Sequence, residues 1–232
     1  MENERRQAMR KKYIDNIRWI TVALVVIYHA FYVFNGSGVW GGVGSFADTQ
    51  YQDVVLYILY PWFMLLLFVV SGMSARFYLE THTHREFIKS KTKKLLIPST
   101  LALFVFWWIW GYFNLKLGGA FEKMHSVPRP ILYVIISLSG TGPLWYIQLL
   151  WVFSVVLVPI RKIEKDRLWN FLRKTNCLEL LMLALLVWGA AQIGNTPVVT
   201  VYRFGIYGTG YLLGYFVFSH DEVMNRLEKI YL

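Results

Sequence analysis

Apolar residues fall in long blocks separated by polar connections. The blocks run roughly over 17–34, 54–79, 95–113, 143–160, 177–194 and 197–219. Crossing about 30 Å of hydrocarbon takes roughly 20 apolar residues in a helix. No water is present in the bilayer core to bond a free N–H or C=O, so spans of this kind close their hydrogen bonds within the segment. The pattern predicts an all-α, polytopic bundle of about six transmembrane helices with the lipid bilayer as solvent. It divides into a lead at 1–16, a transmembrane domain at 17–219 and a tail at 220–232.

The connections refine this outline. Residues 1–16 are polar and basic and predict an interfacial lead, with Tyr13 and Ile14 touching the membrane. The segment NGSGVWGGVGSFADTQYQD at 35–53 is rich in Gly and polar residues and predicts a loop. Within 114–142 the stretch ILYVIISL at 131–138 is too short to span and predicts a re-entrant or interfacial piece. The fourth span opens with GTGPLWYIQLLW, where Pro143 suits a first helical turn and Trp145 and Tyr146 lie at interface depth. In the last span Gly210 and Gly214 form a GxxxG pair that predicts close helix approach.

Composition agrees: 56% of the 232 residues are hydrophobic, and the formal net charge is +10. A basic chain raises the question of nucleic acid, but the placement of the charges argues against it. Arg5, Arg6, Arg10, Lys11, Lys12 and Arg18 lead into the first span. Arg85, Lys89, Lys91, Lys93 and Lys94 follow the second, and six more from Arg161 to Lys174 follow the fourth. The alternate connections hold only Lys116, Lys123 and Arg129. Under the positive-inside rule this asymmetry places both termini in the cytoplasm and makes the charge a topology signal. The first apolar block is too long for a cleavable signal peptide, lacks a small-residue cleavage site and follows a long charged lead. Cys177 is the single cysteine, so no disulfide framework exists.

The chemistry begins with three polar side chains at and within the first span. Arg18 and His29 are eleven residues apart, roughly 20° past three full helical turns and about 16 Å along the axis. Asp15 lies one turn before Arg18 on nearly the same side. A face carrying carboxylate, guanidinium and imidazole must look into protein or a wet cavity, because ionisable groups in hydrocarbon are costly. Two readings of His29 follow: a polar residue bonded to a neighbouring helix, or a proton-transfer group.

Elsewhere the signals are thinner. In FVVSGMSARF at 68–77 the small residues Ser71, Gly72, Ser74 and Ala75 permit close approach of a helix or a ligand. Arg76 at the inner end can snorkel or bind an anion. Lys91 and Lys94 are three apart, hence neighbours on a helix; they serve either as positive-inside charge or as phosphate ligands. Arg203, in the outer half of the sixth span, has no acid in that span to pair with. His82 and His84 in ETHTHRE sit in a basic loop without a ligand set, so no metal is expected. The chain contains no GxSxG, Walker A or HExxH pattern.

Four of these segments, in this order, resemble the acyltransferase 3 family of integral membrane O-acyltransferases. YIDNIRWITVALVVIYHA is similar to its first-helix signature, an Arg, ten residues and a His, with Asp three residues before the Arg. FVVSGM resembles its Phe-x-x-Ser-Gly stretch, KTKKLLIP its basic pair before a Leu/Ile-Pro helix start, and GPLWYIQLLW its Leu-Trp-Tyr/Phe segment. The family's pair is commonly Arg, and Lys here supplies point charges in place of bidentate phosphate recognition.

The resemblance implies transfer of an acyl group, usually acetyl, from cytoplasmic acyl-CoA (acetyl-CoA) to a hydroxyl, often on a cell-surface glycan, in a bacterial-type inner membrane. It implies catalytic roles for His29, Arg18 and Asp15. Arg18, Ser71, Gly72, Arg76, Lys91 and Lys94 would hold the CoA moiety, with Trp145, Tyr146 and Arg203 on the acceptor side. It also implies a longer family pattern with further spans, and leaves homo-oligomerisation open. Two alternatives stand beside it: a transporter or exporter of a polysaccharide precursor with His29, Arg18 and Arg203 lining the path, and a non-catalytic fragment that partners a longer relative.

Overall fold

Over their described residues the apolar blocks are largely helical, and several helix starts are set by the polar residues before them. The computed structural model describes residues 12–32, 51, 53–195 and 203–231. Along these residues run α1 (Lys12–Tyr32), α2 (Asp53–Thr81), α3 (His84–Leu117), α4 (Arg129–Ser139), α5 (Leu144–Glu164), α6 (Arg167–Leu172), α7 (Cys177–Gly194), α8 (Phe204–Phe216) and α9 (Asp221–Tyr231). Among the described residues there is no strand, only an isolated backbone bridge between Asn195 and Arg203.

Four helices (Tyr13–Tyr32 within α1, α2, α3 and α5) are long and apolar enough to cross a membrane. Where the pattern predicts the fifth and sixth spans, α7 has 18 residues and α8 has 13. At 1.5 Å per residue, thirteen residues cover about 20 Å, short of the hydrocarbon thickness. The 35–50 loop lies outside the described residues, as do the lead up to Lys11 and the start of the predicted sixth span.

The third helix begins earlier than hydropathy predicts, because a capping box starts it. Thr83 Oγ1 accepts the Glu86 N–H at 3.3 Å, and the Thr83 N–H donates to Glu86 Oε2 at 2.8 Å. The basic connection is therefore helical. Ahead of Pro98 the helix widens into a π turn over Thr92–Leu96, with the Ile97 N–H donating to the Thr92 carbonyl. A proline has no N–H and crowds the carbonyl four residues back, here that of Lys94; the wider turn accommodates it. A second π segment spans Leu103–Trp107.

The chain divides into two units. The first holds α1, α2 through Phe77, α6, α7, α8 from Gly205, and α9. Its centre is the crossing of α2 and α8, where backbones meet through glycine. A Cβ on Gly72 would collide with the Tyr211 carbonyl, and one on Gly214 with the Val69 carbonyl; Gly210 faces Leu65. Dispersion between closely approaching backbones holds helices together where lipid offers no hydrophobic drive. Phe68 stacks on Tyr207 at 4.8 Å, and Phe63, Tyr211 and Tyr215 are buried around the crossing.

Ile14, Val70 and Met73 form a second buried cluster, with Tyr13, Phe218 and Met224 packed against it. Ile14, expected to touch the membrane, is therefore buried in protein, and Tyr13 packs partly against the same cluster. The α2 side chains across from them supply an apolar surface that only the tertiary fold provides. The tail is likewise docked: Val223 of α9 is fully buried.

The second unit holds Tyr78–Lys165 and Asn195–Phe204. In it α4 folds back along α3, and two glycines again set the spacing. A Cβ on Gly111 would strike the Ile136 carbonyl and one on Gly140 the Trp107 carbonyl. Asn114 Nδ2 donates to the Ser139 carbonyl at 3.3 Å, and the Tyr133 hydroxyl donates to the Phe104 carbonyl. The stretch at 131–138 is thus a short helix packed on α3, in keeping with its length. α5 is tied to the π turn of α3 by Trp151 Nε1, which donates to Thr92 Oγ1 at 3.0 Å.

Candidate active site

α1 is unbroken from Lys12 to Tyr32, so the helical geometry that puts Asp15, Arg18 and His29 on one face applies throughout. Near the N-terminus of α1 Arg18 is held from two sides. Its Nη2 donates to Ser74 Oγ of α2 at 2.5 Å, and its Nη1 donates to Asp15 Oδ1 at 3.4 Å. Both members of the Asp15–Arg18 pair remain partly open, at 38% and 39% exposure. Ser74 donates its own proton to the Val70 carbonyl at 2.8 Å, so toward Arg18 it acts as an acceptor.

Three turns on, His29 is half-buried, and its Nδ1 lies 2.8 Å from the Val25 carbonyl. A carbonyl oxygen only accepts, so this bond assigns the ring proton to Nδ1 and leaves Nε2 as the acceptor nitrogen, without a hydrogen-bond partner among the described residues. Tyr28 packs edge-on against the imidazole, with centroids 5.4 Å apart, and stacks with Tyr32 and Tyr60. The ring is thereby oriented by a backbone bond and by aromatic walls.

Other expected residues have contacts within the protein. Ser71 and Gly72 are buried, and the Tyr211 backbone of α8 lies against Gly72 where a ligand chain would need room. Arg76 is also buried rather than presented to a ligand. It pairs with Asp166, lies 3.9 Å above the Trp169 ring and sits 3.5 Å from the Tyr215 hydroxyl. Asp166 adopts a left-handed conformation with φ 61° at the N-terminus of α6. Burial pushes the nearby His220 imidazole below its ordinary value, and its Nε2–H donates to the Trp169 carbonyl at 2.8 Å.

In the second unit Lys91 and Lys94 line one cleft with Tyr78, Phe87, Ser90 and Leu95. Lys91 Nζ is 5.4 Å from the Phe87 ring centre, and Lys94 is exposed. The π turn begins at Thr92, directly after Lys91, and carries Lys94 within it; such turns recur at functional sites. Trp145 and Tyr146 form an edge-to-face pair with centroids 6.4 Å apart in the first turn of α5. Arg203 lies just before α8, its backbone bridged to Asn195, rather than inside the helix.

Sequence reasoning did not single out Ser74 as the partner of Arg18, nor Asp166 and Trp169 as partners of Arg76. Ser74 stands in a run of small residues that offers no sign of a cross-helix bond. Asp166 is ninety residues from Arg76, beyond any local pattern.

No curated protein and no solved structure gives a match. A family model described as an acyltransferase domain matches residues 11–229, nearly the whole chain. That match covers all four segments that carry the resemblance, together with the helices after them, and the chain belongs to the acyltransferase 3 family of membrane proteins.

Proposed function

We propose that this chain transfers an acyl group, acetyl being the first choice, from acyl-CoA to a hydroxyl on a cell-surface glycan or related acceptor, in a bacterial-type inner membrane. One observation carries the reading. On a single face of α1, Arg18 is anchored by Asp15 and Ser74, and about 16 Å further on His29 presents an Nε2 that has no hydrogen-bond partner among the described residues. That separation suits a phosphate grip at one end and proton transfer at the other, with a pantetheine arm between them.

In the reaction His29 Nε2 accepts the proton of the acceptor hydroxyl as its oxygen attacks the thioester carbonyl carbon. The tetrahedral intermediate collapses by breaking the C–S bond. The CoA thiolate leaves and takes the proton back from the imidazolium, so the ester and the thiol are the products. The Val25 carbonyl stabilises the imidazolium through Nδ1–H. Arg18 holds a CoA phosphate, with Asp15 fixing its direction.

The cleft of the second unit, where Lys91 and Lys94 stand beside Tyr78 and Phe87, is proposed in its own right as a nucleotide-phosphate site. Trp145, Tyr146 and Arg203 are assigned to the acceptor. Ser71, Gly72 and Arg76 are not carried into the proposal, because each is spent on packing or pairing.

The test is His29→Gln in the purified, detergent-solubilised chain with radiolabelled acetyl-CoA and membrane glycans as acceptor. Removing a general base lowers kcat by about 10²–10⁴-fold, while acetyl-CoA binding is retained. Unchanged transfer by this variant would sink the assignment.

A further inference from the structure

Arg18 is the cation at the inner end of the His29 face, and a cation there is useful only if it is aimed. A free arginine side chain has several rotatable bonds, and ordering it on ligand binding costs affinity. Arg18 is already ordered by two acceptors on different helices, Asp15 on its own helix and Ser74 across on α2. Of the two, Ser74 makes the shorter bond, 2.5 Å against 3.4 Å.

Ser74 is built as a directed acceptor. A hydroxyl has one proton and two lone pairs, and that proton is committed to the Val70 carbonyl at 2.8 Å. The hydroxyl cannot rotate to offer its proton elsewhere without breaking that bond, so its lone pairs stay directed at the Arg18 Nη2. A guanidinium carries five N–H donors in a rigid fork. Among the described residues, Asp15 and Ser74 engage one nitrogen each. The Arg18 side chain as a whole is 39% exposed.

The choice of serine also sets the charge balance. A second carboxylate at position 74 would neutralise Arg18 and compete with an anion for it. A neutral hydroxyl fixes the direction of the guanidinium and leaves its charge to act on a ligand.

We infer that Ser74 is a positioning residue for the proposed reaction: it holds Arg18 in the orientation that grips a phosphate of acyl-CoA. The inference rests on the reading of Arg18 as a CoA ligand. It assigns Ser74 to ligand affinity and leaves proton transfer to His29.

The experiment is a double-mutant cycle on the full chain, with Kd for acetyl-CoA and the KM–kcat split as readouts. The variants are Ser74→Ala, Arg18→Ala and the double replacement, with Ser74→Thr as the conservative control and monodispersity on size exclusion as the check of folding. Losing one charge-assisted bond raises Kd and KM for acetyl-CoA about tenfold, with kcat changed less than about twofold. Ser74→Thr, which keeps the hydroxyl and its bond to Val70, restores affinity. With Arg18 already replaced by Ala, the Ser74 change adds nothing.

Ser74→Ala binding acetyl-CoA like the unaltered protein while Arg18→Ala binds weakly would overturn the positioning role alone. Arg18→Ala binding normally would overturn the reading of Arg18, and the role of Ser74 with it. Failure of Ser74→Thr to restore affinity in a monodisperse protein would assign the loss to packing and overturn the inference as well.

Discussion

Replacing Asp166 by Ala strips the carboxylate from a guanidinium that has little access to water. The Arg76 side chain is 7% exposed and the Asp166 side chain 39%. Removing one partner of a fully buried pair costs about 3–5 kcal/mol. Here solvent reaches the vacated side through the exposed carboxylate, and the Trp169 face and Tyr215 hydroxyl remain, so the expected loss is about 2 kcal/mol after discounting for screening. Alanine at φ 61° adds a smaller strain, since only short polar residues and glycine tolerate that region well.

Three further variants separate these contributions. Asp166→Asn keeps both an acceptor and the tolerance for positive φ and loses only charge, so it costs less than Ala. Asp166→Gly relieves the backbone while still removing the carboxylate from Arg76, so it falls between them. Arg76→Met with Asp166→Ala removes both charges and recovers most of the stability, because the buried cation is gone. Thermal unfolding of the detergent-solubilised protein, compared at one heating rate because unfolding of such chains is often irreversible, ranks the set. A double variant no more stable than Asp166→Ala alone, or an Asp166→Ala variant as stable as the unaltered chain, would refute the argument.

Gly214→Ala places a methyl group against the Val69 carbonyl, where neither backbone can yield; overpacking of this kind costs about 1–3 kcal/mol. Gly189→Ala meets nothing within 4 Å in α7, so it gains roughly 0.5–1 kcal/mol of helix propensity, and the same melts register opposite shifts. Burial holds the His220 imidazole below its ordinary 6.5, although the neighbouring Glu222 favours the charged form. Its neutral form is therefore the one the fold favours. Stability is full above about pH 6.5 and falls as pH drops through the depressed folded value, and His220→Gln flattens that slope in a pH series of melts. Replacing both Lys91 and Lys94 by Ala weakens CoA binding about tenfold by loss of charge-assisted contacts, and isothermal titration at two salt concentrations also shows a shallower salt dependence.

Much of the architecture is local and legible in the order of residues alone. Six blocks of apolar residues predict helices, and helices occupy their described residues, because a backbone in lipid has few other ways to satisfy its hydrogen bonds. The shared face of Asp15, Arg18 and His29 follows from 100° per residue alone. Gly210 and Gly214 mark a close crossing, since two missing side chains on one face leave a groove whatever fills it.

Only the tertiary structure decides what meets those faces. Gly72 reads as a passage for a ligand or, more readily, as a seat for a helix, and α8 occupies it. Arg76 reads as a cation open to an anion, yet its partner lies ninety residues away, across a turn whose left-handed Asp166 no hydropathy pattern reveals. Ser74 reads as one more small residue until α1 brings Arg18 to it across 56 positions. Periodicity and hydropathy report how each segment treats its solvent and its own backbone. Which polar side chains neutralise or aim one another depends on contacts between segments distant in the chain, and those exist only once the helices have packed.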